Sequence, residues 1–281
     1  MPNERPTEIR SIAVPGGRLH AVADGDGPPI LLVHAGIVDL RAWDPLVPFL
    51  VDAGYRAIRY DTRGFGQSTT EDVEFSNRAD LLAVLDAFGI GRAAFVGNSR
   101  GAMISLDTIL ESPGRAVAFG WVGGGIGGFE AGAVTPEETA IFERADALET
   151  SGSDPDALAD LEARIWVDGP RAAEGRAPRW IRDAVRDMDR PLLEPGRVMG
   201  RPIPLDPPAN ERLGDIAIPV LAVVGAEDTT DTLAAAERLE AAIAGARRVV
   251  LPNVAHMVGM EAPEQLAGLI VDLVRPIGTW A

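Results

Sequence analysis

The sequence contains no cysteine and no lysine, so arginine supplies all 26 of its basic residues. Without cysteine, disulfides, thiolate nucleophiles and cysteine-ligated metals are excluded. Without lysine, Schiff-base chemistry, attachment of pyridoxal phosphate and the lysine of a P-loop are excluded. None of the three histidines, His20, His34 and His256, lies at metal-ligand spacing from another. We therefore expect no metal and no cofactor.

Positive charge is scarce as well, because 42 acidic residues face 26 basic ones and give a net charge of −16. Phosphate backbones and anionic membranes attract arginine and lysine, so we expect neither a nucleic-acid nor a membrane partner. No apolar run approaches the roughly 20 residues of a membrane helix. Residues 1–10 also lack the apolar run of a secretory signal. We expect a soluble, cytoplasmic protein. The sequence leaves open whether the protein forms a homodimer.

Short apolar runs alternate with helical patterns along most of the 281 residues. The alternation predicts an α/β fold, with a mostly parallel central sheet and helices on both faces. We predict strands at 9–14, 19–23, 29–33, 55–60, 93–96, 116–122, 218–224 and 248–251, and helices at 44–53, 80–88, 100–111, 233–244 and 263–274. With 46% hydrophobic residues, the chain can bury a large core around such a sheet.

The alternation stops after Gly128 and resumes about eighty residues later. Between 130 and 210 the sequence is helical, charged and rich in proline towards its end, with no strand-like run. No repeat or low-complexity linker marks a second independent domain. We predict that residues 130–210 form a helical cap, inserted into a core made of residues 1–129 and 211–281.

The stretch Gly97-Asn98-Ser99-Arg100-Gly101 has the form G-x-S-x-G and lies between a predicted strand and a predicted helix. A turn this tight leaves no room for a Cβ atom at its flanks, which explains the two glycines. The turn holds the serine in a strained conformation, with its hydroxyl above the sheet and free helix N–H groups beneath it. Ser99 is therefore a candidate nucleophile.

A serine hydroxyl needs a base, and in a chain without lysine the candidate base is a histidine. His256 lies just after the last predicted strand, and Asp228 lies just after the strand before it. Such an acid would fix the imidazole tautomer and stabilise its cation. Asp231, three positions on, is the alternative acid, but it lies further from the strand end. The order Ser99, Asp228, His256 places each residue at the carboxyl end of a strand.

Four segments together resemble the α/β-hydrolases that carry a cap. They are residues 31–36 (LLVHAG), residues 60–68 (YDTRGFGQS), the Ser99 elbow, and the loops of Asp228 and His256. The resemblance covers nearly the whole chain except the predicted cap. It implies that Ser99 is the nucleophile, His256 the general base and acid, and Asp228 the orienting carboxylate.

The resemblance also implies an oxyanion hole, formed by the backbone N–H of Arg100 and by that of Gly36 or Ile37. Ala35, Ala102 and Ala255 stand where the family usually has glycine. Since alanine is the smallest replacement, we expect only small backbone adjustments there. Arg100 stands where methionine or glutamine is common, and the sequence leaves open whether its side chain forms a buried ion pair or contacts the substrate.

Other chemistry-bearing residues are interpreted as structural. We expect His34 to be buried at a strand end and hydrogen-bonded to the backbone, and Asp61 and Arg63 to form an internal ion pair together with neighbouring backbone. Residues 123–128 match G-x-G-x-x-G, but they follow a late strand and lead into the cap. A dinucleotide site needs this motif after the first strand, so we interpret it as a flexible hinge beside the site.

The cap is expected to supply much of the substrate pocket, because pockets concentrate apolar and aromatic side chains. Candidate substrate-binding residues are Phe142, Trp166 and Met188 from the cap, and Trp43, Ile126 and Met257 from the core. Trp166 is favoured, since it ends a helix beside the turn at Gly169-Pro170.

These expectations favour a serine hydrolase that cleaves a small-molecule ester, lactone or related acyl substrate through an acyl-enzyme. The same triad would serve a carbon–carbon hydrolase of a diketone-like substrate, or cofactor-free haloperoxidase chemistry. A non-catalytic ligand-binding relative is the alternative from another class. Haloalkane dehalogenases and epoxide hydrolases are disfavoured, because their nucleophile would be a carboxylate at position 99, where this chain has serine.

Overall fold

The structure is a computed structural model that describes residues 7–132, 134–278 and 280. Residues 1–6, part of the N-terminal stretch interpreted above, lie outside the described residues. The strands are β1 Thr7–Val14, β2 Gly17–Asp24, β3 Pro29–Val33, β4 Arg56–Tyr60, β5 Thr69–Thr70, β6 Glu74–Phe75, β7 Ala93–Asn98, β8 Ala116–Val122, β9 Arg201–Pro202, β10 Val220–Gly225 and β11 Arg247–Leu251.

A nine-stranded sheet forms the centre of the described part of the molecule, in the order β1-β2-β4-β3-β7-β8-β10-β11, with β5 paired to β2. All neighbours from β4 to β11 along this order are parallel. The pairs β1–β2 and β2–β4 are antiparallel. The predicted mostly parallel sheet is confirmed.

Helices cover both faces of the sheet, as predicted. They are α1 Val47–Asp52, α2 Asn77–Ala87, α3 Arg100–Glu111, α4 Pro136–Ser151, α5 Pro155–Ala163, α6 Arg179–Asp189, α7 Thr230–Ala242, α8 Val258–Glu261 and α9 Pro263–Val274, with 3₁₀ turns at Leu40–Trp43, Pro113–Arg115, Arg190–Leu193, Ala209–Glu211 and Leu213–Asp215. Leu85 of α2 and Ile104 of α3 pack on one face, whereas Leu50 of α1 and Ile270 of α9 pack on the other. No helix among the described residues is both long and apolar enough to cross a bilayer.

The central strands are buried along their whole length, which explains their continuous apolar runs. Every residue of β7, β8 and β10 is buried. Parallel strands covered on both faces have no solvent side, so their sequences do not alternate between polar and apolar residues. Because these strands are parallel, their carboxyl ends lie along one edge of the sheet, where the loops that carry the candidate catalytic residues begin.

Residues 130–210, here called the cap segment, lie between β8 and β10 and contain α4, α5, a π-helical turn at Arg164–Asp168 and α6. The expectation that this segment holds no strand is wrong, because β9 pairs in parallel with β6. A strand of two residues is too short to give a periodic signal. The ends of the cap segment lie side by side, since the Asn210 N–H donates to the carbonyl of Gly127 at 2.9 Å.

Asp61 and Arg63 do not form the ion pair predicted for them. Arg63 makes a bidentate pair with Asp80 of α2, with Nε–Oδ2 and Nη2–Oδ1 distances of 2.8 Å. The Asp61 carboxylate accepts hydrogen bonds from the backbone N–H groups of Leu40 and Gln67. The prediction paired the charges closest in sequence, whereas the fold brings α2 to Arg63. Burial raises the pKa of Asp61 to about 6.

Candidate active site

Ser99 lies at the sharp turn from β7 to α3. Its backbone has φ 54° and ψ −119°, a combination that L-residues rarely adopt. A Cβ atom at Gly97 would lie 2.3 Å from the carbonyl oxygen of Gly101, and one at Gly101 would lie 2.1 Å from that of Val33. Glycine is therefore required at both flanks, and the surrounding backbone keeps the serine in its strained conformation.

His256 and Asp228 meet at the carboxyl edge of the sheet, from the loops that follow β11 and β10. His256 Nδ1 lies 2.9 Å from both Oδ1 and Oδ2 of Asp228. The Thr229 N–H donates to Asp228 Oδ1 at 2.7 Å, which fixes the carboxylate. His256 is 4% exposed and Asp228 1%, so the pair is shielded from water. This contact can hold Nδ1 as the donor and leave Nε2 free to accept a proton.

Asp231, the alternative acid, occupies a different position. It lies in the first turn of α7, where its charge faces the helix N-terminus, and it is exposed. Among the described residues, the carboxylate that contacts His256 is that of Asp228. The geometry therefore favours Asp228 as the partner of His256.

A cavity of about 660 Å³ opens beside Ser99 and His256. Its wall is mostly apolar, and it is formed by both the core and the cap segment. The other lining residues are Met103, Gly123, Gly124, Gly125, Ile126, Phe129, Glu130, Ala131, Val134, Glu138, Phe142, Trp166, Thr229, Asp231, Thr232 and Ala235. Gly123 approaches the His256–Asp228 pair so closely that a Cβ atom there would lie 3.1 Å from Asp228 Oδ2.

Three of the six predicted substrate-binding residues, Ile126, Phe142 and Trp166, line this cavity. The Trp166 ring lies 4.6 Å from the imidazole of His256 between centroids, at an interplanar angle of 45°. The Phe142 ring lies 5.7 Å from that of Trp166. The π-helical turn carries Trp166, so local irregularity in the helix places the indole against the imidazole.

The structure places Trp43, Met188 and Met257 away from the cavity wall. Trp43 is 2% exposed in the core between the sheet and α1, where a Cβ atom at Gly259 would lie 2.9 Å from its ring. Met188 and Met257 are buried together in the cluster between the core and α6. Their size and apolarity made them candidates, but these side chains serve packing in the structure.

The backbone groups predicted to bind an oxyanion lie on two neighbouring loops, after β3 and β7. Gly36 and Arg100 are close, since a Cβ atom at Gly36 would lie 3.6 Å from Arg100 Cδ. Within residues 7–132 and 134–278, neither the Ile37 N–H nor the Arg100 N–H donates to an intramolecular acceptor. Unused donors at the start of α3 can stabilise negative charge.

The Arg100 side chain forms no ion pair with any described residue. Its Nη1 donates to Thr62 Oγ1 at 2.7 Å, its Nη2 donates to Asn77 Oδ1 at 3.3 Å, and its guanidinium lies 4.8 Å from the Phe65 ring. Burial lowers the pKa of Arg100. Of the two roles left open for Arg100, the ion pair does not form, and the side chain does not line the cavity.

His34 is a buried structural residue, as predicted. Its Nδ1 lies 2.7 Å from the carbonyl oxygen of Ala35, and its Nε2 accepts the N–H of Thr62 at 2.9 Å. Burial lowers the pKa of His34 to about 4, so the ring is neutral at physiological pH. A neutral ring can donate at Nδ1 and accept at Nε2 at the same time.

Two residues near the site had not been singled out from the sequence. Asn98 Nδ2 donates to the carbonyls of Val122 and His256 at 3.0 and 3.2 Å, and joins the elbow to the histidine loop. Its position beside the nucleophile was the available signal. Glu138 of α4 is buried and lines the cavity. The Thr135-x-x-Glu138 spacing indicates a helix start, but gives no sign of its contact with the core.

No group of three or more acidic or histidine side chains among the described residues is arranged to hold a metal ion. The site consists of a serine at a strained turn, an imidazole paired with a carboxylate, two unused N–H groups and a mostly apolar cavity. This set contains the parts needed for acyl transfer.

Several known proteins that are similar to this chain in sequence or structure are described as hydrolases. An epoxide hydrolase B of Mycobacterium tuberculosis is 35% identical over 109 residues, which cover 36% of this chain and 31% of the relative. The match thus spans about a third of the epoxide hydrolase. A 3-oxoadipate enol-lactonase of Acinetobacter baylyi is 27% identical over 96% of this chain and 99% of the relative. A solved hydrolase structure from Pseudomonas aeruginosa superposes with a TM-score of 0.71 at 25% identity, covering 98% of this chain and 99% of that one.

Esterases are also among the similar solved structures. A family model described as "Alpha/beta hydrolase family" matches residues 30–269, from the third strand to the last helix. The matched range includes most of the chain, and the observed sheet order and helical layers agree with it. The chain therefore belongs to the alpha/beta hydrolase family.

Proposed function

We propose that this chain is a serine hydrolase that cleaves a carboxylic ester or lactone of a small, largely apolar substrate. The observation that carries the proposal is the buried His256–Asp228 pair, whose imidazole lines the same cavity as Ser99 at its strained turn. A buried imidazole paired with a carboxylate, in one cavity with a serine hydroxyl, is the arrangement that activates a serine.

In the proposed reaction, His256 Nε2 takes the hydroxyl proton as Ser99 Oγ attacks the substrate carbonyl. The N–H groups of Arg100 and of Gly36 or Ile37 donate hydrogen bonds to the resulting oxyanion. The bond to the leaving alcohol then breaks, and the alcohol departs with the proton held by His256. Asp228 stabilises the imidazolium while that proton is in transit.

Water completes the cycle. His256 takes a proton from a water molecule, whose oxygen adds to the acyl carbon. The bond to Ser99 Oγ breaks, the serine regains the proton, and the carboxylic acid leaves. Each turnover thus consumes one ester and one water, and it needs no bound metal or redox partner.

The cavity supports an apolar acyl or alcohol group in the substrate. The cavity wall near Ser99 and His256 is broadly hydrophobic, and it includes the side chains of Ile126, Phe129, Phe142 and Trp166. Epoxide hydrolases are among the relatives, but their nucleophile is expected to be a carboxylate, and the elbow of this chain carries a serine hydroxyl. Ester and lactone cleavage therefore fit this site better than epoxide opening.

Hydrolysis of p-nitrophenyl butyrate by the parent enzyme and by Ser99→Ala tests the proposal. We expect kcat to fall at least about 1000-fold in Ser99→Ala, because the nucleophile is lost. Ser151→Ala, at an exposed serine at the end of α4, is the matched control and should keep full activity.

Unchanged turnover in Ser99→Ala would contradict the proposal. So would turnover of a β-diketone, but of no ester or lactone, by the parent enzyme, since this would indicate carbon–carbon cleavage. Tight ligand binding without any product in the parent enzyme would indicate a binding protein. A circular dichroism melt of Ser99→Ala confirms that the variant is folded.

A further inference from the structure

Two arginines of the cap segment contact the loops that carry the catalytic acid and base. Arg171 Nη2 donates to the backbone carbonyl of Asp228 at 2.7 Å. Its Nη1 pairs with Glu138 Oε1, also at 2.7 Å. One guanidinium thus joins the loop after β10 to helix α4 of the cap segment.

Glu138 contacts the same loop directly. Its Oε1 accepts the backbone N–H of Thr230 at 2.7 Å, and its Oε2 accepts the Thr230 hydroxyl. The Glu138 side chain is fully buried, and that of Arg171 is 24% exposed. Burial acts to raise the pKa of Glu138, but the hydrogen bonds from Thr230 and Thr135 and the charge of Arg171 outweigh it, so this pKa lies below its usual value. The carboxylate is therefore charged, and it holds both Thr230, two residues after Asp228, and the Arg171 guanidinium that contacts the Asp228 carbonyl.

Arg176 makes the equivalent contacts at the histidine loop. Its Nη1 donates to the carbonyl of Asn253 at 2.6 Å, and its Nη2 pairs with Glu261 Oε2. Glu261 Oε1 in turn accepts the N–H of Ala255 at 3.0 Å. Asn253 has φ 55°, an unusual conformation for a residue other than glycine, so its peptide needs support from its surroundings.

The same Arg176 also fixes the turn that carries Trp166. Its Nε donates to the carbonyl of Asp168 at 2.7 Å, and its Nη2 donates to that of Val167 at 2.6 Å. These two residues directly follow Trp166, whose indole lies against the His256 imidazole. The Arg176 side chain is 11% exposed, and its donors are divided between cap segment and core. Its planar guanidinium therefore fixes the distance between the indole and the histidine loop.

We propose that Arg171 and Arg176 are positioning residues, through which the cap segment holds Asp228 and His256 in their catalytic arrangement. The cap segment then does more than form the wall of the cavity. This inference rests on the proposed function, because it assigns the two loops a role in activating Ser99. Small displacements of a base from its nucleophile reduce rates strongly, whereas they change substrate binding little.

Arg171→Met and Arg176→Met test the inference, because methionine keeps an unbranched apolar stem and removes every donor. We expect kcat for p-nitrophenyl butyrate to fall about 10- to 100-fold in each, with KM within about threefold of the parent value. The rate at which a fluorophosphonate labels Ser99 should fall by the same factor. Arg190→Met is the matched control, since Arg190 pairs with Asp156 and Glu194 inside the cap segment, and it should leave both rates unchanged.

An unchanged kcat in both methionine variants would overturn the inference. A rise in KM at unchanged kcat would also overturn it, since the arginines would then act only through the cavity wall. If either variant unfolds, Arg171→Lys and Arg176→Lys serve instead, and they should keep one donor and lose only part of kcat. The Ser99→Ala variant tests the proposed function separately. If Ser99→Ala is inactive while the arginine variants keep the parent kcat, the positioning role is contradicted and the proposed function is not.

Discussion

The central sheet and the cap segment contact the candidate active site by different physical means. Every residue of β7, which ends at the elbow, is buried, and strand register fixes its position. Helix α4 of the cap segment has sixteen residues, of which Glu138 and Ala145 are buried. The core therefore places Ser99 through apolar packing. The cap segment adds arginine hydrogen bonds and ion pairs to its apolar and ring contacts with the loops of Asp228 and His256.

This difference indicates how each region tolerates change. Apolar packing involves no titrating group, and it is disturbed mainly by changes of volume. Contacts between charged groups depend on pH and on keeping both partners. Three substitutions test this comparison. They remove an ion-paired arginine of the core, an aromatic ring on the cap side of the cavity, and a buried carboxyl of the cap segment.

The largest effect is expected at Arg63, where the core itself holds an ion pair. The side chains of Arg63 and Asp80 are 1% and 6% exposed. Arg63→Met leaves a buried carboxylate without its partner, so the free energy of unfolding should fall by about 3–5 kcal/mol in urea denaturation. Arg186→Met, whose partners Asp156 and Asp160 are exposed, should change it by less than about 1 kcal/mol. Equal losses of unfolding free energy in the two variants would contradict this expected difference between a buried and an exposed ion pair.

A smaller effect is expected at Trp166, in catalysis and not in stability. Trp166→Leu removes the ring that lies against His256 and widens the cavity. We expect kcat/KM for an ester with a bulky apolar acyl group to fall roughly tenfold. For an acetyl ester it should change less, because a short acyl group contacts less of the wall. Trp180→Leu, at a tryptophan of α6 that is 52% exposed, is the control. A similar loss in that variant would show that the effect is not local.

A pH-dependent effect on stability is expected at Asp189, the last residue of α6. Burial raises its pKa to about 8, and the nearby charge of Glu162 adds to the rise. Its Oδ2 has no hydrogen-bond partner among the described residues. The folded chain thus retains a proton that the unfolded chain releases above about pH 4, so stability falls as pH rises from about 4 to 8.

Asp189→Asn removes this titration. We expect its Tm to equal that of the parent near pH 4 and to exceed it by a growing margin as the pH rises to 8, because the parent must then ionise a buried carboxyl. Asp183→Asn, at an exposed residue of the same helix, should show no such trend. A Tm difference that does not vary with pH would mean that the Asp189 carboxyl does not titrate in this range.

The sequence predicted the core well, because its signals are local. The ends of α3 and α9 agree with the predicted ranges, since a glycine-flanked serine precedes one helix and Pro263 begins the other. The strands agree to within a few residues, because each is a short apolar run bounded by turns. The positions of Ser99, Asp228 and His256 could be predicted for the same reason, as each lies in the turn or loop that follows a strand, whereas their catalytic roles stay a prediction.

The contacts of the cap segment could not be predicted in this way. Arg176 meets Asn253 and Glu261 across 77 and 85 positions of sequence, and Arg171 meets Asp228 across 57. No periodicity relates such residues, and arginine is frequent throughout this lysine-free chain. Trp43 and Met257 show the converse difficulty, because a large apolar residue suits a core as well as a pocket.

The contact between Gly127 and Asn210 has an evolutionary consequence. The cap segment leaves and rejoins the core at one point, between the neighbouring strands β8 and β10. An insertion with adjacent ends can lengthen, shorten or be exchanged as a cassette while the sheet stays in place. Lineages can in this way acquire new substrate ranges by recombination. Arg171 and Arg176 would limit that freedom, because a transplanted cassette without such residues would leave the catalytic loops unsupported.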